Sequence, residues 1–134
     1  MKKIGLLITL LILLTSCSSD NSDDKEKLEV NDYYGKWINT QNEVSWNDEY
    51  VFSKDNTFTR TKTVNSVTTH LSGTFEIFER EGRANFQLTY SAPSNLIITC
   101  SGSGGKSELL YILNGNLENS ARMCDYQLTY KKSK

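Results

Sequence analysis

The residues with chemical reach are few and scattered. His70 is the single histidine in 134 residues. A zinc site would need it joined by carboxylates and thiolates at ligand spacing. No such spacing surrounds it, and it reads as a surface residue of a strand. Asp48-Glu49 and the pair Glu79 and Glu81 flank turns. Two carboxylates do general acid–base work only inside an enclosing cleft, so these read as solvated charge. The stretch Ser101-Gly102-Ser103-Gly104-Gly105-Lys106-Ser107 has donors that could cradle a phosphate. That chemistry needs a glycine where Cys100 stands, and a following helix to present its N-terminal dipole. Glu108–Leu113 reads as a strand instead, which excludes it. The expectation is a protein without catalytic residues, metal or cofactor.

Composition narrows the class further. The chain is 37% hydrophobic with a formal charge of −1, a length suited to one domain. Nucleic-acid binding normally needs a clear cationic excess, which is missing. The apolar share is uneven: Lys2 and Lys3 precede a continuous apolar run from Ile4 to Leu14. As a helix this run rises about 16 Å at ~1.5 Å per residue, well short of the ~30 Å hydrocarbon core. It reads as the apolar part of a secretory leader.

The run ends in Leu14-Thr15-Ser16-Cys17, which resembles the bacterial lipobox. The resemblance implies a lipoprotein signal peptide over residues 1–16, with palmitate-type acylation of Cys17 and cleavage before it. Each buried methylene contributes about 0.8 kcal/mol, and two or more chains hold stably, so the implied partner is a membrane. Residues 17–32 form an acidic tether; within residues 17–30, Asp20, Asp23, Asp24, Glu26 and Glu29 face only Lys25 and Lys27. Such a polar tract cannot bury enough apolar area to order itself and reads as a self-repelling spacer. Its serines followed by acids resemble the surface-export signal of Bacteroidota lipoproteins; a plain solubilising linker is the alternative. The expected location is the cell outer membrane, lipid-anchored, facing the periplasm or the surface.

Residues 33–134 must position whatever the domain uses. They show no apolar stripe of helical period; short β-rich runs separated by turns dominate. Strands are expected over residues 36–39, 49–53, 57–64, 68–79, 83–90, 96–102, 108–113 and 125–131. Lys54-Asp55-Asn56, Asn65-Ser66, Glu81-Gly82 and Asn114-Gly115 supply turn chemistry between them. Residues 116–123 read as either a short helix or a loop. Leu71, Gly73, Phe75 and Ile77 share one face, as do Phe86, Leu88 and Tyr90, with polar residues between. One apolar and one wet face is the pattern of an antiparallel sheet. The expected fold is all-β, a small up-and-down barrel or sandwich of about eight strands.

Gly35-Lys36-Trp37, then Tyr50-Val51-Phe52, Asp55-Asn56-Thr57-Phe58 and Gly73-Thr74-Phe75, resemble the small lipocalin-like lipoproteins of Bacteroidota. The likeness favours the barrel and implies a binding function, with a small apolar or amphipathic ligand inside. Phe75, Ile77, Phe86 and Leu88 would line such a cavity, or simply fill a solid core. The family packs an arginine across its first-strand tryptophan. Arg122 is the one arginine in the last third of the chain, although its flanks depart from the family pattern. Trp37 by itself reads as a core aromatic closing one end of the domain.

With Cys17 assigned to lipid, Cys100 and Cys124 remain as an even pair in an oxidising compartment. A bridge would close a loop of about 25 residues, contributing about 3.5 kcal/mol in the chain-entropy model. Two free thiols or a redox site are the alternatives, and no Cys-x-x-Cys is present. The glycine-rich stretch also resembles the loop by which membrane-bound inhibitors of C-type lysozyme enter their target. On that likeness Ser101, Ser103 and Lys106 would touch a partner, with Gly102 and Gly105 standing where the family has alanine. The plainer reading is an inter-strand connector. A protein–protein module, inhibitor or accessory subunit of an envelope complex, is therefore the rival to a ligand-binding barrel.

Overall fold

The computed structural model describes residues 29–42 and 46–134. Cys17, the leader and most of the tether lie outside the described residues. The strands are β1 (Gly35–Asn39), β2 (Trp46–Phe52), β3 (Thr57–Val64), β4 (Val67–Arg80), β5 (Arg83–Tyr90), β6 (Ile98–Thr99), β7 (Gly102–Ser103), β8 (Ser107–Leu113), β9 (Asn116–Asn119) and β10 (Thr129–Lys132). Eight of them form a closed antiparallel barrel, in the order β1-β2-β3-β4-β5-β8-β9-β10 and back to β1. The last seam pairs Trp37 with Lys132 and Asn39 with Tyr130. The expected fold class is the one observed, an antiparallel eight-stranded barrel with up-and-down connections.

Turn chemistry sets the hairpins. Asn65-Ser66, Glu81-Gly82 and Asn114-Gly115 each place both residues at positive φ. That is the type I′ geometry whose twist matches the flanking strands. At the 53–57 turn Asn56 also has φ of 63°, and Asp55 accepts from the Thr57 amide and hydroxyl.

The membership of the barrel differs from expectation in one strand. Residues 96–102 are expected to be a barrel strand, but they carry the two-residue β6 and the first residue of β7, paired with each other as a separate hairpin. Ile97 is fully buried, whereas its neighbours Leu96 and Ile98 are half-buried and Cys100 is exposed. The barrel takes β9 in its place, and residues Ser120–Cys124 follow as a 3-10 turn. The final strand starts at Thr129 rather than Asp125 because Asp125 adopts φ of 67° to end that turn. Tyr126 consequently stands exposed.

A disulfide joins Cys100 to Cys124, with Cα atoms 5.5 Å apart. It ties the β6–β7 hairpin to the 3-10 turn beside it. At the other end a 3-10 turn over Val30–Tyr33 precedes β1, and the Trp37 indole N–H donates to the Tyr33 carbonyl at 2.9 Å. Trp37 is fully buried. Arg122 does not cross it; the guanidinium lies half-exposed beside Glu118 at 3.8 Å.

Candidate functional site

Alternation along the strands decides what faces the barrel axis. On β2 the inward residues are Asp48, Tyr50 and Phe52; on β3 they are Phe58, Arg60 and Lys62. β8 contributes Glu108 and Leu110, and β5 contributes Phe86, Leu88 and Tyr90. The interior therefore has two halves. One is aromatic: Phe52 sits 4.9 Å from Phe75 and 5.2 Å from Phe86, ring centre to ring centre. Tyr33 and Tyr34 cover this half, on Phe86 and Phe75 respectively.

The other half is charged. Arg60, 1% exposed, grips Asp48 with both arms of its fork, Nε to Oδ1 at 2.8 Å and the second amine to Oδ2 at 2.6 Å. Its remaining amine reaches Glu108 and the Tyr90 hydroxyl, each at 3.2 Å. The guanidinium also lies 4.8 Å from the centre of the Tyr50 ring, within cation–π range. Tyr50 and Tyr90 donate to Glu108 Oε2 at 2.7 and 2.6 Å, and Asn119 donates to its Oε1. Tyr130 donates to Asp48 Oδ2 at 3.0 Å. Lys62 stands 3.6 Å from the same oxygen and donates to the Leu96 carbonyl at 3.4 Å.

Burial explains the electrostatics. It pushes the hydroxyls of Tyr50, Tyr90 and Tyr130 well up, and nearby Glu108 adds to the effect on each. Burial works against the Arg60 charge, but Tyr50, Glu108, Tyr130 and the bond to Asp48 outweigh it and hold the group cationic. Lys62 moves down, through burial first and Arg60 repulsion second, with Asp48 and Glu108 pulling the other way. In formal charge, Arg60 and Lys62 balance Asp48 and Glu108. The cluster is a neutral knot whose donors and acceptors are spent on one another. One buried atom among the described residues lacks a partner, Nδ2 of Asn39.

Asp48, expected to be solvated, is thus at the centre of the barrel. Its parity with Tyr50 and Phe52 was the available signal, and Arg60 and Glu108 carried the same one relative to Phe58 and Leu110. Glu49 does face outward and pairs with Lys36 at 3.1 Å. Glu79 and Glu81 are exposed. His70 is an exposed residue of β4, its Nδ1 3.2 Å from the Thr61 hydroxyl.

The four residues read as cavity lining all belong to the aromatic half. Phe75, Phe86 and Leu88 are buried in one cluster, and Ile77 packs on it half-buried. Ser101, Ser103 and Lys106 are exposed on the 91–106 connection. That connection drops Ile97 onto the barrel as a fully buried plug and returns through the Ser94 amide to the Gly105 carbonyl at 3.2 Å.

Outside the barrel lies a groove of about 490 Å³. Its walls are Thr57, Thr59, Ser72, Thr74, Thr89 and Ser91, with Lys106 on the rim and the backbone around Gly73 in its floor. A Cβ at Gly73 would meet the Thr89 carbonyl at 2.0 Å. Only glycine lets β4 and β5 approach this closely.

Comparisons with protein-family models, with curated proteins and with solved structures find no match to this chain.

Proposed function

We propose that the protein is a lipid-anchored cell-envelope lipoprotein whose barrel is a non-catalytic binding module that works through its outer surface. The observation that carries this reading is the occupied interior. Phe52, Phe58, Phe75, Phe86 and Leu88 are each at most 2% exposed and pack on one another. Arg60 and its partners fill the remainder with a self-neutralised network. Ligand sites in barrels are concave and largely preformed. Admitting an amphipathic molecule here would mean displacing this aromatic cluster or breaking charge-assisted hydrogen bonds. The lipobox resemblance at Cys17 and the acidic tether support the anchoring, and the tether would hold the barrel away from the bilayer.

A fluorescent fatty acid titrated into the purified protein tests the outward-working reading. The expected result is no saturable one-to-one uptake; saturable uptake that Phe86→Trp blocks would restore an internal site. Mass spectrometry of the membrane-extracted protein tests the anchor: an acyl mass on residue 17 is expected, and its absence overturns it.

A further inference from the structure

We propose that the hydroxyl-lined groove outside the barrel binds an acidic polysaccharide, with a sugar carboxylate on the Lys106 amine. This deepens the outward-working reading and rests on it. Thr57, Thr74, Thr89 and Ser107 stand directly opposite one another across β3, β4, β5 and β8. They form one transverse row of hydroxyl side chains at the inter-strand spacing of ~4.8 Å. Thr59 and Ser72 form a second rank beside it. Hydroxyls both donate and accept, which suits a polyol better than a purely cationic or purely acidic partner. Thr57 directs its own proton to Asp55 at 2.6 Å, so it meets a ligand as an acceptor.

Lys106 selects the charge. It is the one charged side chain among the residues lining the groove, it is exposed, and among the described residues it has no ion-pair partner. A peptide fits this surface poorly. At the groove β3, β4, β5 and β8 are paired with one another and leave no free strand edge there for β-addition, and the groove presents no exposed aromatic side chain of the kind that anchors protein interfaces. The groove is open and runs across strands, as a chain ligand requires. Its floor is bare backbone at Gly73, where any larger residue would collide with Thr89.

The test titrates oligogalacturonate and neutral dextran oligomers into the detergent-solubilised lipoprotein by calorimetry, with the fluorescent fatty acid run on the same sample. Oligogalacturonate is expected to bind, and to bind more weakly as salt rises to ~0.5 M. Dextran should bind at least about tenfold less well, the worth of one charge-assisted hydrogen bond. Lys106→Ala should remove that preference. Thr74→Trp should block both sugars by filling the groove from an exposed position, and Thr74→Glu should weaken oligogalacturonate alone by repulsion, which keeps the test open if the tryptophan disturbs folding. Equal binding of acidic and neutral sugars, wild-type binding by Lys106→Ala, or no sugar binding overturns the proposal. If sugar binding and fatty-acid uptake are both absent, only the glycan inference fails; saturable fatty-acid uptake would instead overturn the outward-working reading beneath it.

Discussion

Arg60→Met is the perturbation that most directly interrogates the interior. The side chain is nearly isosteric along its stem, but it deletes both hydrogen bonds to Asp48 and the contacts to Glu108 and Tyr90. Two carboxylates then share the barrel with Lys62, whose amine is 3.6 Å from Asp48. At an effective dielectric of ~20, a charge pair about 4 Å apart interacts by about 4 kcal/mol. Breaking a buried pair by removing one partner costs about 3–5 kcal/mol. A loss of about 4 kcal/mol is therefore expected, a large part of the total stability of a domain this size, about 5–15 kcal/mol. Urea unfolding followed by tyrosine and tryptophan fluorescence reads it.

Combining Arg60→Met with Asp48→Asn and Glu108→Gln should recover much of the loss at pH 7, since replacing a whole buried ionic set is often near neutral. If Arg60→Met does not fold, Arg60→Lys keeps the charge, loses the planar fork and should cost about 1–2 kcal/mol. An Arg60→Met protein within about 0.5 kcal/mol of wild type, or no recovery on adding Asp48→Asn and Glu108→Gln, would refute the view that the knot stabilises the barrel.

Three further outcomes are expected. Gly73→Ala should destabilise by at least about 1–3 kcal/mol, the cost of overpacking, because its methyl would sit 2.0 Å from the Thr89 carbonyl; chemical denaturation checks it. In an absorbance titration Tyr50, Tyr90 and Tyr130 should ionise only as the protein unfolds, because burial raises all three. Their contribution is intact below the unfolded tyrosine value of ~10 and falls as pH climbs above it, so Tyr130→Phe should flatten the alkaline decline in melting temperature. Replacing Cys100 and Cys124 together by Ser should cost about 3.5 kcal/mol in the chain-entropy model for a loop of this length, seen as a lower melting temperature under non-reducing conditions.

Where the turn dipeptides are strong, the sequence locates the strands well: β3 and β5 have the expected bounds, and the I′ hairpins fall where expected. The exchange of residues 96–102 for β9 shows what period-2 patterning misses. Leu96, Ile98 and Cys100 alternate convincingly, yet Ile97 between them is the buried residue, because a connection crossing a barrel mouth obeys packing rather than a ladder. Conversely Asn116-Leu117-Glu118-Asn119 has weak strand propensity, but Asn114-Gly115 before it demands a returning strand. The charged interior was legible in part: Asp48, Arg60 and Glu108 each share the inward parity of aromatic or aliphatic neighbours. That four charges from three strands converge depends on register and closure. The outer groove depends on the same two things, since its row of hydroxyls is assembled from four strands and becomes visible only once they are aligned.

The seam between β1 and β10 has a consequence for the order of events in the cell. The first strand made is bonded on one side to the last, so β1 keeps an open edge until β10 has emerged. Sequence-distant pairing of this kind is slow to form, and an unpaired edge invites association with other chains. A chain that cannot close before β10 is made has no finished barrel until that strand emerges. Topology alone would thus delay closure until synthesis of β10, at the expense of a period in which β1 must be shielded from its neighbours.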